Sequence, residues 1–288
     1  MGCKLCPRDC GVDRKTHMGF CGAGTEMQIS KIMLHMWEEP CISGTKGSGA
    51  VFFSSCTLRC CFCQNAKISV RCSGKTYTER QLADEMLRLQ DSGAHNINLV
   101  TASHFVPGVI KALDIAKSRL KIPVVYNSSG YEKPQTIDIL KGYIDIYMPD
   151  IKYFSKEAAK RYSGAEDYFE YAKEAVCTMY NQVGAMEFDS DGLMKKGLII
   201  RHLILPSHAD DAVNILKWIR CNLPYDKLLI SLMSQYLPMH RAAEFEEINR
   251  KITPQEYKKA VNAMRVLGFE GYTQAPEASD KKYIPDFK

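Results

Sequence analysis

The stretch CTLRCCFC, which begins at Cys56, packs four cysteines into eight residues, and thiols so closely spaced are suited to binding metal. Cys56, Cys60 and Cys63 stand in the order C-x-x-x-C-x-x-C, a loop length that can wrap three thiolates around one face of an iron–sulfur cube. Four cysteines normally saturate a four-iron cluster, so three leave one iron open to a ligand from elsewhere. Cys61 directly follows Cys60, and adjacent side chains diverge, so Cys61 is expected to pack rather than to ligate. A structural zinc knuckle is the alternative for the same spacing.

A second group opens the chain. CKLCPRDCGVDRKTHMGFC sets Cys3, Cys6 and Cys10 at C-x-x-C-x-x-x-C and adds Cys21 eleven residues on. Four thiolates with tight turns among them can close a zinc site or a second iron–sulfur cluster, either of them coordinatively full. The role expected of it is structural or electron-relaying. Cys41 is a spare candidate ligand, while Cys72, Cys177 and Cys221 stand alone and are expected to be ordinary buried thiols.

Twelve cysteines accompany an N-terminus, MGCKLCPRDC, that has no apolar run resembling a secretory leader. No segment approaches the ~20 apolar residues of a membrane span. The expectation is a cytoplasmic protein without a membrane partner, in which reduced thiols favour metal over disulfide. The opening Met-Gly lacks the Ser or Thr of a myristoylation signal. A formal charge of +5 with scattered basic residues is weak evidence for a polyanionic partner and leaves nucleic acid open. At 45% hydrophobic and 25% charged residues, the composition is that of a globular protein with a sizeable core.

The elements that must position these cysteines follow from periodicity. Residues 1–49 are rich in cysteine and glycine with little periodicity, and read as a loop-rich, metal-binding extension; residues 50–288 form the main domain. There, apolar runs alternate with helical patterns. AVFFSS leads to YTERQLADEMLRLQDSG, NINLVT to PGVIKALDIAKSRL, PVVYNS to KPQTIDILKG, and IDIYMP to SKEAAKRYSG with a further helix near 167–182. GLIIRHLILP then leads to ADDAVNILKWIRCN, and KLLISLM to PQEYKKAVNAMRVLG. Six strands, each leading to a helix, argue for parallel strands covered by helices. An α/β fold in the form of a partial (β/α)6 TIM-like barrel, open on one side and preceded by the cysteine-rich loop extension, fits the count. A doubly wound open sheet gives the same alternation, and periodicity does not choose between them. Both place chemistry at the carboxyl ends of the strands.

Polar residues stand at those ends. Asp150 and Lys152 are two apart, so on a continuing strand they share a face. Arg201 interrupts the apolar LIIRHLIL and must meet a carboxylate, of a ligand or of the protein, while His202 points to the opposite side as a structural residue.

The spacing of Cys56, Cys60 and Cys63, their place after the first strand, and Phe62 just before the last cysteine resemble the radical SAM superfamily (S-adenosylmethionine). The resemblance implies a 4Fe-4S cluster whose open iron is chelated by the methionine moiety of S-adenosylmethionine. It also implies reductive cleavage to a 5'-deoxyadenosyl radical that abstracts hydrogen from a substrate. After the second strand the family has a glycine-rich acidic motif for the methionine amino group; VTASH departs from it, and Thr101, Ser103 and His104 are the substitutes. YNSSG and MPDIKYF resemble the D-T-N-G and D-L-K segments of glycyl-radical-enzyme activases, which carries Asn127, Ser128, Asp150 and Lys152 over as cofactor contacts. Met148 enters as a backbone contributor near a cation site, although Asn127 stands where an acid is common. Arg201 becomes a contact to cofactor or substrate, and Gln235 in MSQYLP a ribose contact.

The cysteine-rich opening, continuing through HMWEEPCISGTKGSGAVFF, and the terminal KKYIPDF resemble the branch of pyruvate formate-lyase activating enzyme-like proteins. By that resemblance the first expectation is an activase that installs a glycyl radical on a partner enzyme, with flavodoxin or ferredoxin as electron donor. The runner-up is direct modification of a small molecule, peptide or nucleic acid. A non-catalytic zinc or iron–sulfur module is the reading from another class.

Overall fold

The computed structural model describes residues 2–70 and 73–274, with Pro285 and Phe287; Cys72 and most of KKYIPDF lie outside the described residues. In chain order the elements are β1 (Met27–His35), α1 (Pro40–Ser43), β2 (Ser48–Phe53), α2 (Ala66–Ser69), β3 (Lys75–Tyr77) and α3 (Glu79–Asp91). They continue with β4 (Ile97–Val100), α4 (Val106–Ala116), β5 (Val124–Ser128), α5 (Pro134–Asp138), β6 (Ile146–Pro149), α6 (Lys156–Ser163) and α7 (Tyr168–Val183). The last are β7 (Glu187–Phe188), β8 (Met194–Leu203), α8 (Ala209–Asn222), β9 (Leu229–Met233), α9 (Pro254–Val266) and β10 (Gly271–Thr273).

All six expected strands are present, as β2, β4, β5, β6, β8 and β9, and they pair in parallel in that order. Sequential order without reversal separates this α/β fold from the doubly wound sheet, whose strand order turns back at a switch point. A seventh parallel strand, β10, lies beyond β9, while β1 and β3 add antiparallel strands beyond β2, so the curved sheet has two edges and does not close. The helices start and stop where local chemistry dictates. Thr78 with Gln81 and Thr253 with Glu256 form reciprocal capping boxes at α3 and α9, and Gly164 ends α6 in the left-handed region.

The loop-rich reading of the N-terminal segment holds for residues 2–26 and fails for Met27–His35, which form a nine-residue strand against β2. Its pattern is hidden by a register shift between Ile29 and Lys31. Met27 and Ile29 face the core before the shift and Ile32 and Leu34 after it, because one extra residue reverses the phase of a period of two. The sheet therefore runs across the division between residues 49 and 50.

Alternation along the parallel strands sorts their side chains. Tyr126, Tyr147, Leu198, Ile200 and Ile230 join the large core under the helices. The other face looks inward and changes character with depth. Val125, Ile146, Met148, Ile199 and Leu229 form an apolar floor with Cys41 and Ile42 of α1. One step further along the same faces stand Asn127, Asp150, Arg201 and Ser231. Among the described residues no helix is long and apolar enough to cross a membrane.

One glycine is required by this arrangement. Gly130, in the loop after β5, has φ 75°, and a Cβ there would lie 2.1 Å from the Asp150 carbonyl oxygen. Gly130→Ala should lower stability by roughly 2–4 kcal/mol, since strain and a backbone clash add. The measurement is the urea midpoint of purified protein, and an unshifted midpoint would contradict the close approach.

Candidate active site

The cysteine loop leaves the carboxyl end of β2 through unusual backbone. Ser55 and Arg59 have φ of 74° and 57°, a left-handed conformation that costs a non-glycine residue free energy and that surrounding contacts must hold. Those contacts are present. The Arg8 guanidinium donates to the carbonyls of Thr57 (3.0 Å), Leu58 (3.2 Å), Ser163 (2.7 Å) and Gly164. Arg59 donates to the carbonyls of Phe20 (3.1 Å) and Val70 (3.0 Å). Phe62 packs edge-on against Tyr153, Tyr162 and Tyr236.

Cys56, Cys60 and Cys63 line a cavity of about 310 Å³ at the carboxyl ends of the strands, and Cys61 does not. The Cys61 backbone is fixed on both sides, its N–H donating to the Tyr162 carbonyl (2.7 Å) and its own carbonyl accepting from the Arg241 N–H (2.8 Å). Its side chain is buried in the core under the helices. Burial pushes the Cys56 thiol up to about 12 and raises that of Cys63, against the pull of a Ser69 hydroxyl hydrogen bond and of Lys152. Three thiols beside an open cavity, with the fourth turned away, suit a cluster that keeps one coordination position for a ligand.

Below the cysteines lies a buried charge network. Arg201 on β8 meets two carboxylates, Asp150 (Nε to Oδ1, 3.0 Å) and Glu38 (NH1 to Oε2, 3.1 Å), and donates to the Asn127 side-chain oxygen at 2.6 Å. Lys152 pairs with the other Asp150 oxygen at 2.5 Å. The Asp150–Lys152 pair, with Asp150 buried and Lys152 partly so, is thus not a surface salt bridge. Burial opposes ionisation of Asp150, yet Lys152 and Arg201 outweigh it and hold its carboxyl below the ordinary range. For Glu38, burial prevails over Arg201 and the Asn98 amide (2.9 Å), and its pKa is raised.

Of the cofactor contacts expected from sequence, Thr101, Asn127, Ser128, Asp150, Lys152, Arg201 and Gln235 line the cavity. Thr101 does so with φ 61°, a rare state for a β-branched residue, its N–H bonded to the Asn127 carbonyl at 2.8 Å. Gln235 is placed by Gln64, the neighbour of Cys63, whose side-chain amide donates to the Gln235 carbonyl at 2.9 Å. Ser103 and His104 are corrections. Both sit in a 3-10 turn, Ser103–Phe105, that carries them away from the cavity. Ser103 donates to buried Glu132, and His104 bonds the Ser54 carbonyl at 2.7 Å with burial pushing its imidazole down to about 4. Met148 belongs to the apolar floor, and His202 is structural, its Nδ1 on the Ile151 carbonyl at 2.6 Å.

Glu38 and Glu39 are the cavity carboxylates that sequence reasoning missed. The available signal was Arg201 itself, because a buried guanidinium with five donors needs more than one acceptor, and WEEP holds two adjacent carboxylates. Cys41, next to them, is a buried floor residue packed with Ile42 and Val125. Cys177 is half-buried and Cys221 exposed near the end of α8, so neither is the buried thiol expected.

In the N-terminal segment, Cys10 and Cys21 both approach Gly19, where a Cβ would lie 3.4 Å from each sulfur. Cys3 is close enough to Cys10 to hydrogen-bond with it, and Cys6 feels the charges of Cys3 and Cys21. The four thiols neighbour one another, but among the described residues no three His, Cys, Asp or Glu side chains gather as tightly as a single ion requires. The segment is clamped to the barrel by Lys133–Asp9 (2.7 Å) and by the Thr136 hydroxyl on the Leu5 carbonyl (2.7 Å).

Residues 50–181 match the profile of the family described as the Radical SAM superfamily. An uncharacterized protein of Methanocaldococcus jannaschii is 30% identical over 270 residues, an alignment that takes in 90% of this chain and 73% of that one. Among solved structures, native anSMEcpe with bound AdoMet has a TM-score of 0.48 at 12% identity, covering 82% of this chain; this chain spans 62% of that protein. A spore photoproduct lyase mutant has a TM-score of 0.49 at 10% identity, covering 75% of this chain and 73% of that one.

The charge network predicts its own pH dependence. Arg201→Met should destabilise the protein by roughly 3–5 kcal/mol near neutral pH, because it strands buried carboxylates. In the variant Asp150 loses one of the two cations that hold its carboxyl down and Glu38, already raised, rises further, so the folded variant binds more protons than folded wild type and regains stability relative to it as pH falls. The gap in urea midpoint between variant and wild type should narrow from about pH 8 to about pH 5, whereas a constant gap would mean the carboxylates are not ionised.

Proposed function

The chain belongs to the radical SAM superfamily, and on that premise we propose that it binds a 4Fe-4S cluster through Cys56, Cys60 and Cys63 and uses S-adenosylmethionine to take a hydrogen atom from a substrate. The observation that carries the reading is the cavity itself, which three of the four clustered cysteines border and the fourth does not. A closed structural metal site has no use for such a space, which argues against a purely non-catalytic module. Bound there and reduced, the cluster would supply the electron for reductive cleavage of S-adenosylmethionine.

The protein's own residues bind and orient. Thr101, Asn127, Ser128 and Gln235 offer hydroxyl and amide groups around the cavity for the polar edges of the cofactor. Lys152 lies where its charge acts on both Cys63 and Asp150, and suits the cofactor carboxylate. The buried walls exclude water from a reactive carbon radical. For the N-terminal segment, the neighbouring thiols Cys3, Cys6, Cys10 and Cys21 support a metal site, of zinc or a second iron–sulfur cluster, in a structural or electron-relaying role. Flavodoxin or ferredoxin is the electron donor that the reading calls for.

The inner end of the cavity separates the substrate classes. An activase addresses a glycine backbone, which brings no charge to meet buried ionised groups. Three carboxylates and two cations line this cavity, which favours direct modification of a charged small molecule over activation of a glycyl radical enzyme.

The test is anaerobic reconstitution of four single variants. Cys56→Ala, Cys60→Ala and Cys63→Ala should each lose cluster absorbance and yield no 5'-deoxyadenosine under reducing conditions, while Cys61→Ala should retain most of both. Equal loss in Cys61→Ala would refute its assignment to the core, and full turnover in any of the other three would refute the cluster site.

A further inference from the structure

Glu39 has no role in the reading above. It is 8% exposed, it lines the cavity, and its Oε2 has no hydrogen-bond partner. An ionised oxygen left in this state costs free energy unless a ligand meets it. Neighbouring charges do not resolve the deficit. Among the described residues that line the cavity, Glu38, Glu39 and Asp150 face Arg201 and Lys152, which leaves one carboxylate in excess. Arg201 spends its ion pairs on Asp150 and Glu38, and Lys152 spends its own on Asp150. Glu39 is the member without an ion pair: Arg201 acts on it only from beyond ion-pair distance, and burial still raises its carboxyl.

Depth identifies what meets it. The carboxylate of Glu39 lies beside Ser231, which pairs with Arg201 in the sheet and precedes the end of β9 at Met233 by two residues, roughly 7 Å of strand. The cysteines stand above that end, where Gln64 meets Gln235. Asp150 and Arg201 stand at the level of Ser231, and Lys152, two residues past Asp150, comes between the two levels. A cofactor held at the cysteines occupies the upper level, and the lower level remains for the second reactant.

We propose that Glu39 receives a cationic nitrogen of the substrate, a primary ammonium or a group of like charge and size, so that the molecule from which hydrogen is taken is an amine. The assignment rests on the radical reading and deepens it. Arg201 and Glu38 act beside it as positioning residues: their ion pair fixes the segment that carries Glu39 against the strands. A neutral substrate leaves the Oε2 atom bare, and an anionic one adds to the existing excess.

The experiment uses reconstituted full-length protein with the cluster left oxidised, so that S-adenosylmethionine stays intact at saturating concentration. Calorimetric titration compares n-butylammonium with n-butanol, its neutral counterpart. Wild type should bind the ammonium at least about tenfold more tightly than the alcohol, and Glu39→Gln should erase that difference while Glu39→Asp keeps part of it. Equal binding of the two probes by wild type, or an ammonium preference that survives in Glu39→Gln, overturns the proposal. So does a Glu39→Gln protein that loses affinity for S-adenosylmethionine and keeps it for the ammonium, since the carboxylate then serves the cofactor. Circular dichroism of both variants establishes that they fold, and Glu39→Asp carries the test if the amide variant does not. Failure of the radical reading looks different: no 5'-deoxyadenosine forms on reduction, whatever the calorimetry gives.

Discussion

A guanidinium inside an apolar strand is the constraint around which the barrel interior is organised. Arg201 is flanked on β8 by Ile199 and Leu203 on its own face and by Ile200 and His202 on the other, so neither solvent nor its neighbours can answer its charge. Its partners come from three other places: Asp150 after β6, Asn127 on β5, and Glu38 ahead of α1. Breaking one partner leaves another charge buried, which makes the set cooperative. The same set fixes which way the segment containing Glu38 enters the barrel. That segment, and not one of the six main βα units, closes the inner end with Cys41 and Ile42.

Depth then becomes a chemical coordinate. Along each inward face the residues pass from apolar, through charged, to the thiols and amides at the strand ends: Ile146, Met148, Asp150 and Lys152 on and after β6 are one such series. A low-dielectric floor strengthens every electrostatic interaction above it. Asp150 stays ionised there because two cations face it, and Glu38 and Glu39 are pushed upward because burial outweighs the pull of Arg201 on each. The interior is therefore poised to respond to a charged guest, which a uniformly apolar barrel would not be.

What the sequence made legible follows from how local each signal is. The six parallel strands and their helices declare themselves through short-range period and caps, and the C-x-x-x-C-x-x-C loop through spacing alone. Asp150 and Lys152 could be placed on one face because two residues along a strand always share one. The failures are non-local or broken in phase. β1 was hidden by its register shift, Ser103 and His104 were carried off by a single 3-10 turn, and Glu39 acquires meaning only once β8, β9 and α1 are assembled around it. The choice between barrel and doubly wound sheet was likewise out of reach, since strand order is not written in any one strand.

The N-terminal segment adds an electrostatic argument of its own. Three arginines, Arg8, Arg14 and Arg59, stand around the two cysteine groups, and the hydrogen bonds they make go to backbone carbonyls. Among the described residues none of the three forms an ion pair with a carboxylate. Carbonyls satisfy the donors without cancelling the charge, and the backbone N–H groups of Arg8 and Arg59 favour the thiolates of Cys6 and Cys56. Thiols pushed upward by burial, as Cys6, Cys21 and Cys56 are, need such compensation to serve as thiolates. Arg14 already lowers Cys21 through its charge. Arg8 also stacks over Phe20 at 4.3 Å while gripping the cluster loop, so the same residue that favours the Cys6 thiolate joins the two cysteine groups mechanically. Displacing the segment would remove both the charge and the clamp that holds Ser55 and Arg59 in their left-handed conformations, which is why the two groups are best regarded as one unit.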